Sequence, residues 1–169
     1  MSLAKQQVRS EWQRALITLG PSIFLGLILL AGGTGKVPGQ TEFIDALLGS
    51  FWTPAVAYLI GYCLPWIEVI LGVLLLLGVL PRIAAALSLP ITAGFIANNG
   101  WALSQGMEQF PHCAECFGIW EKFLGAITPL QALCLDIVLL GLALIIVLFH
   151  PSGFLSYKPW FIKQQGGEI

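Results

Sequence analysis

The stretch PWIEVILGVLLLLGVLPR, residues 65–82, joins a long apolar run to a tight turn. Its apolar part holds a single residue that can carry a charge, Glu68, and it ends in Leu-Pro-Arg. The run belongs to a segment, 53–80, that exceeds the roughly 20 apolar residues a helix needs to cross a bilayer. A further apolar segment starts at residue 83. Because so short a turn joins only neighbouring antiparallel helices, the stretch predicts a transmembrane helical hairpin.

The composition of the whole chain agrees with a membrane environment. Of 169 residues, 57% are hydrophobic and 10% are charged, and the mean hydropathy is +0.84. Ordinary globular chains carry about 25% charged residues, and a soluble domain of this length cannot bury so much apolar surface. The net charge of −1 and the lack of a basic tract give no indication of nucleic-acid binding. We therefore expect an integral membrane protein whose main surroundings are the lipid bilayer.

Four segments are long and apolar enough to span a membrane, which predicts an all-α fold: a four-transmembrane-helix antiparallel bundle. An N-terminal signal peptide is the competing interpretation of the first segment, but the segment is long and no convincing cleavage site follows it. We expect one transmembrane domain over 15–150, flanked by an N-terminal cytoplasmic segment, 1–14, and an interfacial cytoplasmic tail, 151–169. The predicted spans are 15–33, 53–80, 83–105 and 130–149.

The basic residues are distributed unevenly about these spans. Six of the eight fall on the side of the termini and of the 80–82 turn, whereas Lys36 and Lys122 fall on the other side. Basic residues favour the cytoplasmic side. The pattern therefore predicts cytoplasmic termini in the cell membrane and an extracytoplasmic 106–129 loop.

Two local features qualify this layout. Phe43, Ile44, Leu47 and Leu48 share one face of a short helix, which we expect to lie on the membrane surface. Prolines inside the spans, such as Pro65, free backbone carbonyls, and neighbouring groups within a bundle can satisfy them.

The strongly polar residues of the spans are concentrated in the half nearer the 106–129 loop. An ionisable residue inside a membrane marks a functional interior by default, although Glu68 and Asp136 could also be protonated groups that only link helices. Cys63 and Cys134, which lie within the spans, are either small core residues or a second thiol pair. The set comprises Cys63, Glu68, Asn98, Asn99, Cys134 and Asp136.

The loop itself contains Pro-His-Cys-Ala-Glu-Cys-Phe-Gly, residues 111–118. Cys113 and Cys116 form a CxxC pair, and on the oxidising side of the membrane such pairs are often exchange sites with a lowered thiol pKa. A disulfide would close only a very short loop and stabilise the fold weakly. His112 with the two thiols could supply three zinc ligands, but structural zinc sites usually take four. Redox, structural and metal interpretations thus stand side by side, with redox favoured.

The residues at 65–82 resemble the second span of the DoxX/MauE superfamily. Gly-Gly-Thr-Gly-Lys at 32–36, Cys-Phe-Gly at 116–118 and Leu-Asp-Ile-Val-Leu-Leu at 135–140 fit the same pattern, over roughly 14–150. The resemblance implies a four-helix, redox-associated membrane protein. MauE relatives are linked to disulfide formation in exported methylamine dehydrogenase beside a thioredoxin-like partner, and DoxX and DoxD relatives to sulfur-compound oxidation feeding quinone.

We therefore expect a membrane protein that handles thiol or disulfide electrons at the extracytoplasmic face. Cys113 or Cys116 would exchange with an exported thioredoxin-like or sulfur-metabolising protein through a mixed disulfide. Cys63 and Cys134 are the candidate second pair, Glu68 and Asp136 the candidate proton carriers, and quinone the candidate terminal partner. Two alternatives remain: a non-catalytic subunit that docks or stabilises a soluble oxidoreductase, and an outward-facing metal or small-solute site.

Overall fold

The protein was analysed as a computed structural model, which describes residues 2–108 and 127–150, with side chains from Thr18 onward. This part of the chain is helical and contains no strand. Four of its helices are long and apolar enough to cross a membrane, which confirms the predicted all-α multi-pass fold. The helices are α1 (Ser2–Lys36), α2 (Gln40–Leu48), α3 (Pro54–Leu77), α4 (Pro81–Ser104) and α5 (Pro129–Phe149).

The first helix, α1, extends beyond the predicted span of 15–33 at both ends. It starts at Ser2 instead of near residue 15, and it continues past residue 33 to Lys36. The glycines near its end do not break it, and at least one of them allows a neighbouring helix to pack closely. A Cβ on Gly33 would lie 2.6 Å from the Pro65 carbonyl oxygen, so α1 and α3 approach closely there.

The turn between α3 and α4 forms the predicted hairpin. Gly78 takes a left-handed conformation with φ of 67°, which glycine adopts without steric cost. The Val79 N–H donates to the Leu74 carbonyl at 2.9 Å, and the Gly78 N–H donates to the Leu75 carbonyl at 3.2 Å. This pair of bonds is the Schellman arrangement, and Pro81 then starts α4 at a position that needs no N–H donor.

The four long helices surround a common core. α1 packs against α3 and α5, and α4 packs against the same two helices. Each helix is therefore antiparallel to both of its neighbours, while α3 and α5 lie diagonally opposite each other. The contact between α3 and α4 is the least extensive of the four.

The buried residues of each long helix recur every three or four positions, as a single inward stripe requires. On α3 the stripe includes Gly61, Pro65, Glu68 and Leu71. Many stripe positions are small residues, which lets helices in a membrane approach closely. The main apolar core lies in the half of the bundle away from α2 and comprises Leu25, Leu29, Leu71, Leu75, Ala84, Ala85, Leu139, Ala143 and Ile146.

The predicted short helix is present as α2, but its apolar face does not lie on the membrane surface. Phe43, Ile44 and Leu47 are buried, and a Cβ on Gly61 would clash with Ile44. The face thus packs on α3, and α2 covers one end of the bundle. We call this the α2 end; the chain leaves α4 there at Ser104 and enters α5 there at Pro129.

The carbonyl freed by Pro65 is satisfied by α2. Proline has no N–H to donate to the residue four positions earlier, which here is Gly61. The side-chain amide of Gln40 donates to the Gly61 carbonyl at 3.1 Å and to the Tyr62 carbonyl at 3.2 Å. This confirms for Pro65 that a neighbouring group supplies the missing donor.

Candidate functional site

An ion pair between α1 and α3 lies inside the bundle. Lys36 Nζ lies 2.8 Å from Oε1 and 2.9 Å from Oε2 of Glu68. The two residues are only 5% and 2% exposed. Lys36 Nζ also lies 4.5 Å from the ring centroid of Phe95 and 5.3 Å from that of Phe43. Aromatic faces and a carboxylate together compensate the buried ammonium.

A second polar contact joins α4 to α5. The side-chain amide of Asn99 donates to Oδ2 of Asp136 at 2.7 Å, and both residues are buried. Their positions follow from helical spacing, because each falls on the inward stripe of its helix. Two of the polar groups identified from the sequence are thus brought together across a helix interface.

Both contacts line one cavity of about 80 Å³ beneath α2. Lys36 and Glu68 form part of one wall, and Asn99 and Asp136 form part of another, while Leu47 of α2 contributes to the cover. Four of the six residues identified from the sequence thus line one cavity at the α2 end: Glu68, Asn98, Asn99 and Asp136. The volume suits a few water molecules or a small polar group.

The cavity has buried hydrogen-bonding capacity that the described residues do not use. Oδ1 of Asp136 and the side-chain carbonyl of Asn99 have no partner among residues 18–108 and 127–150. Buried polar atoms normally have a partner, and ordered water counts as one. The cavity thus combines two carboxyl groups, one ammonium group and two amides.

Asn98, the neighbour of Asn99, links the cavity to its surroundings. Its side-chain carbonyl accepts a hydrogen bond from Trp52 Nε1 at 3.2 Å. Asn98 is half-buried and lines the same cavity. Trp52 and Asn98 therefore join the segment after α2 to α4.

Cys63 and Cys134 do not belong to this cavity. Both side chains are exposed on the bundle surface, because each lies between inward positions of its helix: Gly61 and Pro65 flank Cys63, and Ala132 and Asp136 flank Cys134. Their helices, α3 and α5, lie diagonally opposite each other in the bundle. The structure thus does not bring together the candidate second thiol pair.

Lys36 is the site residue that the sequence analysis placed wrongly. We counted it among the basic residues outside the predicted spans, whereas it ends α1 and is buried. Spacing could have shown this. Leu25 and Leu29 lie on the inward stripe of α1, and Lys36 lies seven positions, two helical turns, after Leu29. A buried glutamate on the next span is also a reason to look for a cation.

The CxxC motif, formed by Cys113 and Cys116, lies outside the described residues. Within residues 18–108 and 127–150 no group of three or more His, Cys, Asp or Glu side chains is placed to hold a metal ion. The described site is therefore built from an ion pair and an amide–carboxylate pair.

A comparison with protein families gives one match. The family model of methylamine utilisation protein MauE matches residues 14–149, which is most of the chain and all four spans. Neither the curated proteins nor the solved structures include a significant match. Of the two names in the resemblance noted from the sequence, the match supports MauE. The chain therefore belongs to the MauE family and is a multi-pass membrane protein.

Proposed function

We propose that the protein handles thiol and disulfide electrons at the extracytoplasmic face of the cell membrane, in exchange with an exported thioredoxin-like or sulfur-metabolising protein. The observation that carries the proposal is the buried polar cavity at the α2 end. The CxxC segment is tied to that same end, because it connects Ser104 of α4 with Pro129 of α5. Both ends of the chain segment that contains the CxxC motif therefore lie at the end of the bundle that holds the polar cavity.

The charge distribution supports an extracytoplasmic position for this end. Lys36 was one of two basic residues counted on that side. It lies inside the bundle, paired with Glu68, and not in a loop. Lys122 is then the one basic residue left there, against six on the opposite side. The asymmetry that orients membrane helices is therefore stronger than the sequence count suggested.

The exchange itself would follow ordinary thiol–disulfide chemistry. A thiolate of the CxxC pair attacks a sulfur of the partner's disulfide, forms a mixed disulfide and releases the partner's other sulfur as a thiolate. The second cysteine then closes the Cys113–Cys116 disulfide and frees the partner as a dithiol. Two electrons pass to the partner, and two protons leave the CxxC thiols while two bind the partner's sulfurs. The same steps in reverse oxidise the partner.

The cavity residues fit a role in proton handling. Each two-electron oxidation of a dithiol releases two protons, and carboxyl groups can accept them. Glu68 and Asp136 are carboxyl groups, Lys36 holds one of them, and Asn99 orients the other. Membership of a family named for methylamine utilisation is consistent with a role in maturing an exported redox enzyme.

Thiol trapping under a redox titration tests the proposal. The protein, with Cys63→Ser and Cys134→Ser, is reconstituted in nanodiscs and equilibrated with glutathione buffers of graded potential, and free thiols are counted by mass-tagging. We expect Cys113 and Cys116 to change together between two thiols and none. With Cys116→Ser, Cys113 should form a mixed disulfide with a thioredoxin that lacks its resolving cysteine, in a buffer whose oxidised glutathione takes up the two electrons.

Three results would contradict the proposal. A disulfide that stays intact across the titration would make the pair a structural crosslink. Thiols that never oxidise and never trap thioredoxin would favour a non-catalytic subunit that docks a soluble oxidoreductase. Stoichiometric zinc bound in a manner that requires Cys113 and Cys116 would replace the redox interpretation with a metal site.

A further inference from the structure

The polar cavity beneath α2 contains more acidic than basic groups. It is lined by the carboxyl groups of Glu68 and Asp136 and by a single cation among the described residues, Lys36. The Lys36 ammonium is paired with both carboxylate oxygens of Glu68, so the charge of Glu68 is compensated. Asp136 receives a hydrogen bond only from the neutral amide of Asn99. With both carboxyl groups ionised, the described cavity therefore lacks one positive charge.

Lys36 does not supply that charge. Its ammonium has three N–H donors, and hydrogen bonds to Glu68 occupy Nζ at 2.8 and 2.9 Å. Nζ also lies 4.5 Å from the ring centroid of Phe95, and such a ring attracts a cation. Within the described part of the chain, neither a hydrogen bond nor an ion pair joins Lys36 to Asp136. Because an uncompensated buried carboxylate is costly, Asp136 requires either a proton or a cation from outside.

The unused oxygen atoms of the cavity favour a cation. Asp136 and Asn99 are only 5% and 3% exposed, and both line the cavity. Oδ1 of Asp136 and the side-chain carbonyl of Asn99 have no partner among residues 18–108 and 127–150. A proton on Oδ1 would leave the carbonyl unsatisfied, whereas a cation can be coordinated by both oxygens, since the two side chains are already in contact. The cavity of about 80 Å³ has room for a small ion and a water molecule, which takes about 30 Å³.

Charge and ligand type identify the class of cation. One missing charge requires a monovalent ion. Calcium takes six to eight oxygen ligands, often several carboxylates, and transition metals prefer His and Cys. In residues 18–108 and 127–150 no group of three or more His, Cys, Asp or Glu side chains is placed to hold such a metal. We infer that the polar cavity binds one small monovalent cation, with Oδ1 of Asp136 and the side-chain carbonyl of Asn99 as its protein ligands.

The cation site does not depend on the proposed thiol chemistry, and it is separate from the CxxC segment. Where that chemistry operates, a proton that reaches Asp136 displaces the cation, because one carboxylate oxygen cannot hold both. The exchange of one monovalent cation for one proton leaves the charge inside the bundle unchanged.

Direct binding of radiolabelled sodium tests the site. Protein in detergent is titrated in choline chloride, which keeps the ionic strength constant and whose cation is too large for the cavity. We expect saturable binding of one ion per chain. Asp136→Asn should weaken it at least tenfold, because the change removes the charge and keeps the size. Asp45→Asn is the matched control: it makes the same chemical change on an exposed residue of α2 that does not line the cavity, and binding should stay unchanged.

Asn99→Leu removes the second ligand and should weaken sodium binding at least fivefold; it also carries the test if Asp136→Asn does not fold. Displacement of the label by potassium or ammonium chloride at lower concentration than by sodium chloride would support the same site with another monovalent ion.

Thermal unfolding provides a measurement that needs no variant. Since a ligand that binds only the native state stabilises it, replacing choline chloride by sodium chloride should raise the unfolding midpoint until the site is saturated. Absence of any binding of the three ions would overturn the inference, as would binding unchanged in both Asp136→Asn and Asn99→Leu. We expect binding to persist in Cys113→Ser/Cys116→Ser. A failed thiol titration therefore contradicts the proposed function alone, and absent cation binding contradicts the inference alone.

Discussion

Lys36 Nζ lies within hydrogen-bond distance of both carboxylate oxygens of Glu68, at 2.8 and 2.9 Å, although 32 positions separate the two residues in the chain. The contact ties the end of α1 to the middle of α3 beneath α2. It turns two isolated charges, each costly inside a membrane, into one compensated unit.

The first prediction concerns this pair. Lys36→Met should destabilise the protein by up to about 3–5 kcal/mol, because it leaves a buried carboxylate without its cation. Lys36→Met/Glu68→Gln should recover much of that loss. Thermal unfolding of detergent-solubilised protein measures both, with Glu42→Gln on the exposed face of α2 as control. A double variant no more stable than Lys36→Met would contradict the prediction that the unpaired carboxylate causes the loss.

The role of the carboxyl groups is predicted separately. Asp136→Asn, which keeps a hydrogen-bonding group of similar size, and Lys36→Met/Glu68→Gln, which removes the carboxylate together with its cation, should both preserve the fold but slow the proposed thiol exchange at least tenfold. The rate of mixed-disulfide resolution with a thioredoxin probe reports this. Unchanged rates in both variants would leave the two residues with a structural role.

Packing between α1 and α3 gives a third prediction. A Cβ on Gly72 would lie 2.8 Å from both the Gly26 carbonyl oxygen and the Leu30 nitrogen. Since backbone atoms cannot move aside cheaply, Gly72→Ala should cost about 1–3 kcal/mol. Gly20→Ala, which meets open space on α1, should be neutral or slightly stabilising. Chemical unfolding of both variants decides whether the close approach is required.

The hydrogen bond from Gln40 to Gly61 gives a fourth prediction through a double-mutant cycle. Gln40→Met should cost about 1–3 kcal/mol, because the carbonyl freed by Pro65 loses its donor. With Pro65→Ala the backbone N–H at that position can donate instead, so the same Gln40 change should cost much less. Equal costs in both backgrounds would mean that Gln40 acts independently of the proline.

Orientation is tested by labelling. In the Cys63→Ser/Cys134→Ser background, a membrane-impermeant maleimide added to intact cells after mild reduction should modify Cys113 and Cys116. The background matters because both removed thiols are exposed on the bundle surface and would confuse the count. Labelling only after lysis would reverse the proposed orientation.

The sequence by itself determined the class of fold. Apolar length fixed the four spans, since lipid leaves a chain no means of satisfying its backbone other than helices or a closed barrel. The Leu-Pro-Arg turn fixed one hairpin, and short α2 followed from its apolar spacing. Depth along each span also placed Glu68 and Asp136 in the correct half, because rise per residue is constant in a helix.

Tertiary structure decided which side chains meet. Counting residues gives depth but no lateral position, and for that reason Cys63 and Cys134 looked like partners although α3 and α5 are diagonal. The pairing of Glu68 depended on α1 continuing to Lys36, which required Gly33 to pack against Pro65 on another helix. These features arise from the packing of helix against helix, and no single stretch of sequence contains that information.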